Sequence, residues 1–232
     1  MFRTPVKMVA AALAAGAVLT ACGGPVKLGA AAVMTSDRIS ASTLSAHVAN
    51  LNKYYLKYKD SVQLQYEVSQ MPQEVLSWLI RFQVGDEMAA RNGISVTPGQ
   101  QQAELHAINK SAQSSTTTGA PVPLTELAVA NGLPPDLLGE LARYQFIQTT
   151  LVNRLDGGKQ PGTTSEQQAL TKEFNGYQCR AAKSLDIRVN PQYGQLDYTQ
   201  ISVIAKPSTL SADPSPSPSP SPSSSVQLTP PC

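Results

Sequence analysis

The chain has 232 residues, of which 41% are hydrophobic and 15% charged, a length and balance that suit one domain of ordinary size with a real core. Its formal charge of +2 comes from 18 Lys and Arg against 16 Asp and Glu. Arg3 and Lys7 supply that whole excess, so the rest of the chain is near neutral and nucleic acid is not an expected partner.

The first stretch reads as an export signal. Arg3 and Lys7 precede an apolar run from Met8 to Leu19, too short to span roughly 30 Å of hydrocarbon comfortably. Leu19-Thr20-Ala21-Cys22 resembles the bacterial lipobox. That resemblance implies cleavage before Cys22, a diacylglyceryl group on its sulfur, and a lipid-anchored protein on the extracytoplasmic face of the cell membrane. The expected divisions are a signal peptide at 1–21, a lipidated tether at 22–29, a helical domain at 30–206 and a Pro/Ser segment at 207–232.

Ala30 to Thr35 reads as a short strand entering a turn at Ser36-Asp37-Arg38. Ser40 or Ser42 then caps a helix with apolar positions Leu44, Val48, Leu51, Tyr55 and Tyr58, spaced four, three, four and three. Lys59 to Gln70 is polar and reads as a loop. Pro72 suits the first turn of the next helix, which carries Val75, Leu76, Leu79, Ile80, Val84 and Met88, with Trp78 and Phe82 on its flanks. Gly93 ends it.

Thr97-Pro98-Gly99-Gln100 resembles a capping box and predicts a mostly polar helix to about Lys110. Ser111 to Pro123 is Ser/Thr-rich and reads as a loop. Leu124 to Ala130 predicts a short helix stopping at Asn131-Gly132. The clearest helix follows Pro134-Pro135, with Leu137, Leu141, Tyr144, Ile147, Leu151 and Leu155 on one stripe. Thr164-Ser165-Glu166-Gln167 reads as a capped start for a last helix bearing Leu170, Phe174, Tyr177, Ala181 and Leu185. Asp186 to Val189 alternates as a strand does, and Ile201 to Ala205 is a candidate for another. Beyond Pro207, the Pro-Ser repeats lack the apolar content to fold and favour extended polyproline conformations. The expected fold is mainly α, with a small β element.

Catalytic patterns are missing. His47 and His106, the two histidines, stand on different helices without companions at ligand spacing, so no metal site and no cofactor are expected. No P-loop, Gly-x-Ser-x-Gly, His-Glu-x-x-His or Cys-x-x-Cys occurs. Asp86 and Glu87 are adjacent, so they point about 100° apart on a helix and read as a solvated face. An enzyme is not expected. Three cysteines occur, Cys22, Cys179 and Cys232; with the first lipidated in a disulfide-permitting compartment, Cys179 and Cys232 form a candidate bridge.

Three segments in order, Ala30 to Leu44, Leu76 to Pro98 and Leu185-Asp-Ile-Arg-Val-Asn-Pro-Gln-Tyr-Gly194, resemble the SurA-type N-terminal chaperone domain. SurA, PrsA and related exported foldases share that domain, here in an actinobacterial-type lipoprotein form. The resemblance implies pairing of the first strand with the late strand at Ile187–Val189, and four main helices around an apolar cleft. It implies a holding chaperone for unfolded exported polypeptides. Two departures matter. Leu155 and Leu170 are separated by a short Gly/Pro loop, leaving no room for a parvulin isomerase domain, and Gln192 stands where many relatives have arginine.

A holding surface needs bulky apolar side chains that repack around many sequences. The candidates are Tyr54, Tyr58, Trp78, Phe82, Met88, Tyr144 and Phe146, on or beside the helical stripes. The competing expectation is an accessory or structural lipoprotein that binds one dedicated partner at the cell envelope.

Overall fold

The computed structural model describes residues 29–35, 37–114, 122–159 and 161–205. The leader, the tether with Cys22, and the Pro/Ser segment with Cys232 lie outside the described residues. Within these, the protein is mainly helical, with strands β1 (Ala30–Val33), β2 (Arg38–Ser40), β3 (Arg188–Val189), β4 (Gln195–Asp197) and β5 (Ser202–Ile204). The helices are α1 (Ala41–Tyr58), α2 (Met71–Arg91), α3 (Pro98–Ser114), α4 (Leu124–Ala130), α5 (Leu138–Leu155) and α6 (Thr164–Ser184).

β1 is the middle strand of a three-stranded antiparallel sheet, flanked by β2 and β3. Ala32 stands opposite Val189 and Val33 opposite Arg188, so the two ends of the described chain pair as expected. Asn190 completes the closure. Its backbone N–H donates to Ala31 O at 2.8 Å, and its Nδ2 donates to Ala30 O at 3.1 Å. Ala30, Ala31 and Ala32 are fully buried, because a small side chain lets the helices sit directly on the strand.

β2 and β4 differ from the sequence reading, which placed only a turn at Arg38 and no element between Val189 and Ile201. Each is three residues long with a single apolar centre, Ile39 or Leu196, too short to show a period. β4 and β5 form a separate antiparallel hairpin in which Leu196 faces Val203.

The capping chemistry explains the helix starts. Ser40 Oγ accepts from Thr43 N at 2.9 Å. Thr97 N–H donates to Gln100 Oε1 at 2.9 Å while Gln100 N–H donates to Thr97 Oγ1 at 3.3 Å, a reciprocal box ahead of α3. α6 begins one residue earlier than read: Thr163 is the cap, and Glu166 bonds back to it. α3 also runs past Lys110 to Ser114, since Ser, Gln and Ala tolerate a helix that packs on α5.

α2 is the central element, packed against α1, α5, α6 and β5. Its buried residues therefore spread around the helix: Val75, Leu76, Ile80, Phe82, Val84, Gly85 and Met88. Ser77 is the buried polar residue in this surround; its hydroxyl donates to Gln73 O at 2.7 Å and accepts from Val203 N at 2.8 Å. That pair of bonds fastens the hairpin to α2.

Candidate functional site

The seven bulky candidates do not meet in one cleft. Met88 is 1% exposed, and Phe82 and Tyr144 are 7% exposed, so these three belong to the core in this conformation. The flank position of Phe82 is covered because α2 has neighbours on both sides. Trp78, Phe82 and Tyr144 form a chain of rings from the surface inward, with centroids 5.9 and 6.0 Å apart. Trp78 is half-buried, donates Nε1 to Asn131 O at 3.0 Å, and carries the Arg81 guanidinium 4.9 Å from its ring. Arg81 in turn donates Nε to Ile201 O at 3.1 Å, tying this aromatic chain to the second hairpin. Phe146 lies half-buried on α5.

Tyr54 and Tyr58 form a separate edge on α1. Their rings stack at 6.3 Å, with Lys53 and Lys57 over them at 5.8 and 4.7 Å. Hydrogen bonds from Lys57 and then Thr125 lower the Tyr58 phenol pKa, and the same contact raises Lys57. Leu56 beside them is 58% exposed, and Val68 and Ile204 are the other large exposed hydrophobics among the described residues.

A broad concavity lies elsewhere, along the outer face of α6. It has a volume of about 770 Å³ and is lined by Gln167, Gln168, Ala169, Thr171, Lys172, Glu173, Asn175, Gly176, Cys179 and Arg180, with Tyr198 and Thr199. Helical geometry puts Gln168, Thr171, Lys172, Asn175 and Cys179 on one stripe, about opposite Phe174, Tyr177 and Ala181, which face the core. Amide and hydroxyl side chains line the groove, yet most of the surface it presents is apolar, and the Arg180 guanidinium lies over Gly176, its Nη1 3.2 Å from where a β-carbon would stand. Arg180 also stacks 4.6 Å over the Tyr177 ring. Tyr198 closes one side, its hydroxyl donating to Ile187 O at 3.4 Å, and burial raises its pKa. Sequence reasoning missed this groove, because it sits on the polar face of α6; the run of Gln, Thr and Asn at helical spacing is the signal it overlooked.

Cys179 is disulfide-bonded, and its bonding partner lies outside the described residues. His47 Nδ1 lies 3.1 Å from Asp136 Oδ2, and His106 Nε2 lies 3.3 Å from Gln102 Nε2. Asp86 and Glu87 have separate partners: Arg143 at 2.8 Å for Asp86, and Arg91 at 2.6 Å for Glu87. Among the described residues, no three His, Cys, Asp or Glu side chains stand together as a metal site requires. No described helix is long and apolar enough to cross a membrane.

Burial raises the pKa of Glu74, with Arg81 opposing it, and burial likewise pushes up Tyr66 and Tyr144. Glu74 and Tyr66 pack around Gly132, which has φ +70° and no space for a β-carbon. Glu166 moves the other way, held low first by the Gly162 N–H and then by Thr163.

No family model, curated protein or solved structure matches this chain.

Proposed function

We propose that the protein is an extracytoplasmic lipoprotein, anchored through Cys22, whose helical body holds unfolded exported polypeptides without catalysing their folding. The observation that carries this reading is the α6 groove. Its surface is mostly apolar, which suits side chains of varied shape, and Gln167, Gln168, Thr171 and Asn175 add uncharged donors and acceptors for a polypeptide backbone beside the charged Lys172, Glu173 and Arg180. A span from residue 167 to 179 is roughly 18 Å at 1.5 Å per residue, the length of five or six extended residues. The β1–β3 pairing supports the SurA-type resemblance, since that architecture brings the chain ends together in this way. The Leu19-Thr20-Ala21-Cys22 motif supports the address.

A second reading, a lipoprotein dedicated to one partner at the cell envelope, is favoured by the limited exposed apolar surface. Only Leu56, Val68 and Ile204 are large exposed hydrophobics among the described residues, whereas a promiscuous binder usually presents a broader repackable patch. Detergent-solubilised full chain at several-fold excess over a reduced, unrelated client separates the two. Holding predicts suppressed aggregation and many crosslinked partners in intact cells. No suppression, with capture of one defined protein, establishes the second reading instead.

A further inference from the structure

We propose that the segment from Ser225 to Cys232 is the resident occupant of the α6 groove, locked there by a Cys179–Cys232 disulfide. This rests on the proposed lipidation of Cys22. The chain has three cysteines, Cys179 is bonded, and a thioether at Cys22 leaves Cys232 as its partner. Length allows it: 27 residues follow Ala205 through Cys232, and in polyproline geometry they reach roughly 80 Å, several times the length of the groove.

The register is then set by Cys179, which lies at one end of the groove. Extended chain running from Cys232 back along α6 covers the roughly 18 Å to Gln167 in about six residues. Those residues include Val226 and Leu228, the only large apolar side chains between Asp213 and Cys232. Pro230 and Pro231 pre-set the extended conformation and so lower the entropy lost on docking. The groove's mostly apolar surface suits Val226 and Leu228, and Gln167, Thr171 and Asn175 offer hydrogen bonds beside it. Bridge formation joins the two sulfurs; the two protons and two electrons pass by thiol–disulfide exchange to an exported protein disulfide, which leaves as a dithiol.

Two measurements on the lipidated full chain test this. Non-reducing digestion and mass spectrometry should find the Cys179 peptide linked to the Cys232 peptide. Linkage to Cys22, or free thiols at both 179 and 232, overturns the proposal, and intact mass reads the Cys22 lipid independently. Hydrogen exchange of residues 167–176 should accelerate several-fold in Val226→Asp/Leu228→Asp with the bridge still present. Unchanged exchange in that variant overturns the docking. Neither measurement involves a client, so the holding function stands or falls separately.

Discussion

The ring of Tyr144 on α5 fills the space in front of Gly85 on α2, where a β-carbon would stand 2.5 Å from the ring's Cδ2. Glycine is therefore a packing requirement of the α2–α5 contact, and one methyl group forces the two helices apart. Gly85→Ala should cost about 1–3 kcal/mol, the usual range for overpacking a tight core. A lowered urea midpoint with unchanged slope checks it. Tyr144→Phe keeps the ring and loses only the 2.8 Å bond from Gln178 Nε2, so it should cost about 1 kcal/mol.

Ser77→Ala removes the acceptor of the Val203 N–H in a buried setting. An unsatisfied buried donor costs about 1–3 kcal/mol, far more than the lost volume of one oxygen. The expected result is a lower thermal midpoint with increased hydrogen exchange confined to β4 and β5. Exchange rising equally throughout the fold would mean that the hairpin is not separately fastened to α2.

Glu166 in the α6 capping box and Glu74 in the first turn of α2 have opposite pH signatures. The Glu166 carboxylate is held low by Gly162 and Thr163, so its contribution is present above the unfolded value of about 4.3 and is lost as pH falls through its folded value. Glu74 is raised by burial, so its contribution is present below about 4.3 and is lost as pH rises through its folded value. Urea midpoints across the acid range should show the penalty of Glu166→Gln shrinking as pH falls. Glu74→Gln should raise the midpoint at neutral pH relative to the unsubstituted chain. Thr163→Ala, which removes the cap oxygen itself, should cost about 1 kcal/mol at neutral pH.

Cys22→Ala should move the protein from the membrane to the soluble extracytoplasmic fraction, because the uncleaved leader or the bare tether anchors less firmly than a lipid with two or three chains. Fractionation with an antibody to the helical domain reads this directly. Full membrane retention would remove the lipid from the account.

Much of the helical framework was legible because its signals are local. Pro72, the Thr97–Gln100 box and the glycine stops at Gly93 and Gly132 act within one turn, and the structure places helix ends at each. Burial was less legible because it depends on what surrounds a helix. Phe82 and Met88 looked available for binding when α2 was read with one apolar face. With α1, α5, α6 and β5 all packed on α2, that assumption fails. The groove was hidden for the converse reason: Gln168, Thr171 and Asn175 read as solvated helix surface, and only the neighbouring Tyr198 gives that surface a wall. The β4–β5 hairpin went half unseen because its positioning comes from Ser77, more than 100 residues away in sequence.

The placement of β1 has a mechanical consequence. With Cys22 anchored as proposed, a pull from the membrane would enter the described body at β1, which is clamped between β2 and β3 and pinned by Asn190 at Ala30 and Ala31. The load is shared across several ladder bonds at once before it reaches a helix. Under that proposal the sheet takes the pull before any helix does, and serves as the strain relief of the molecule.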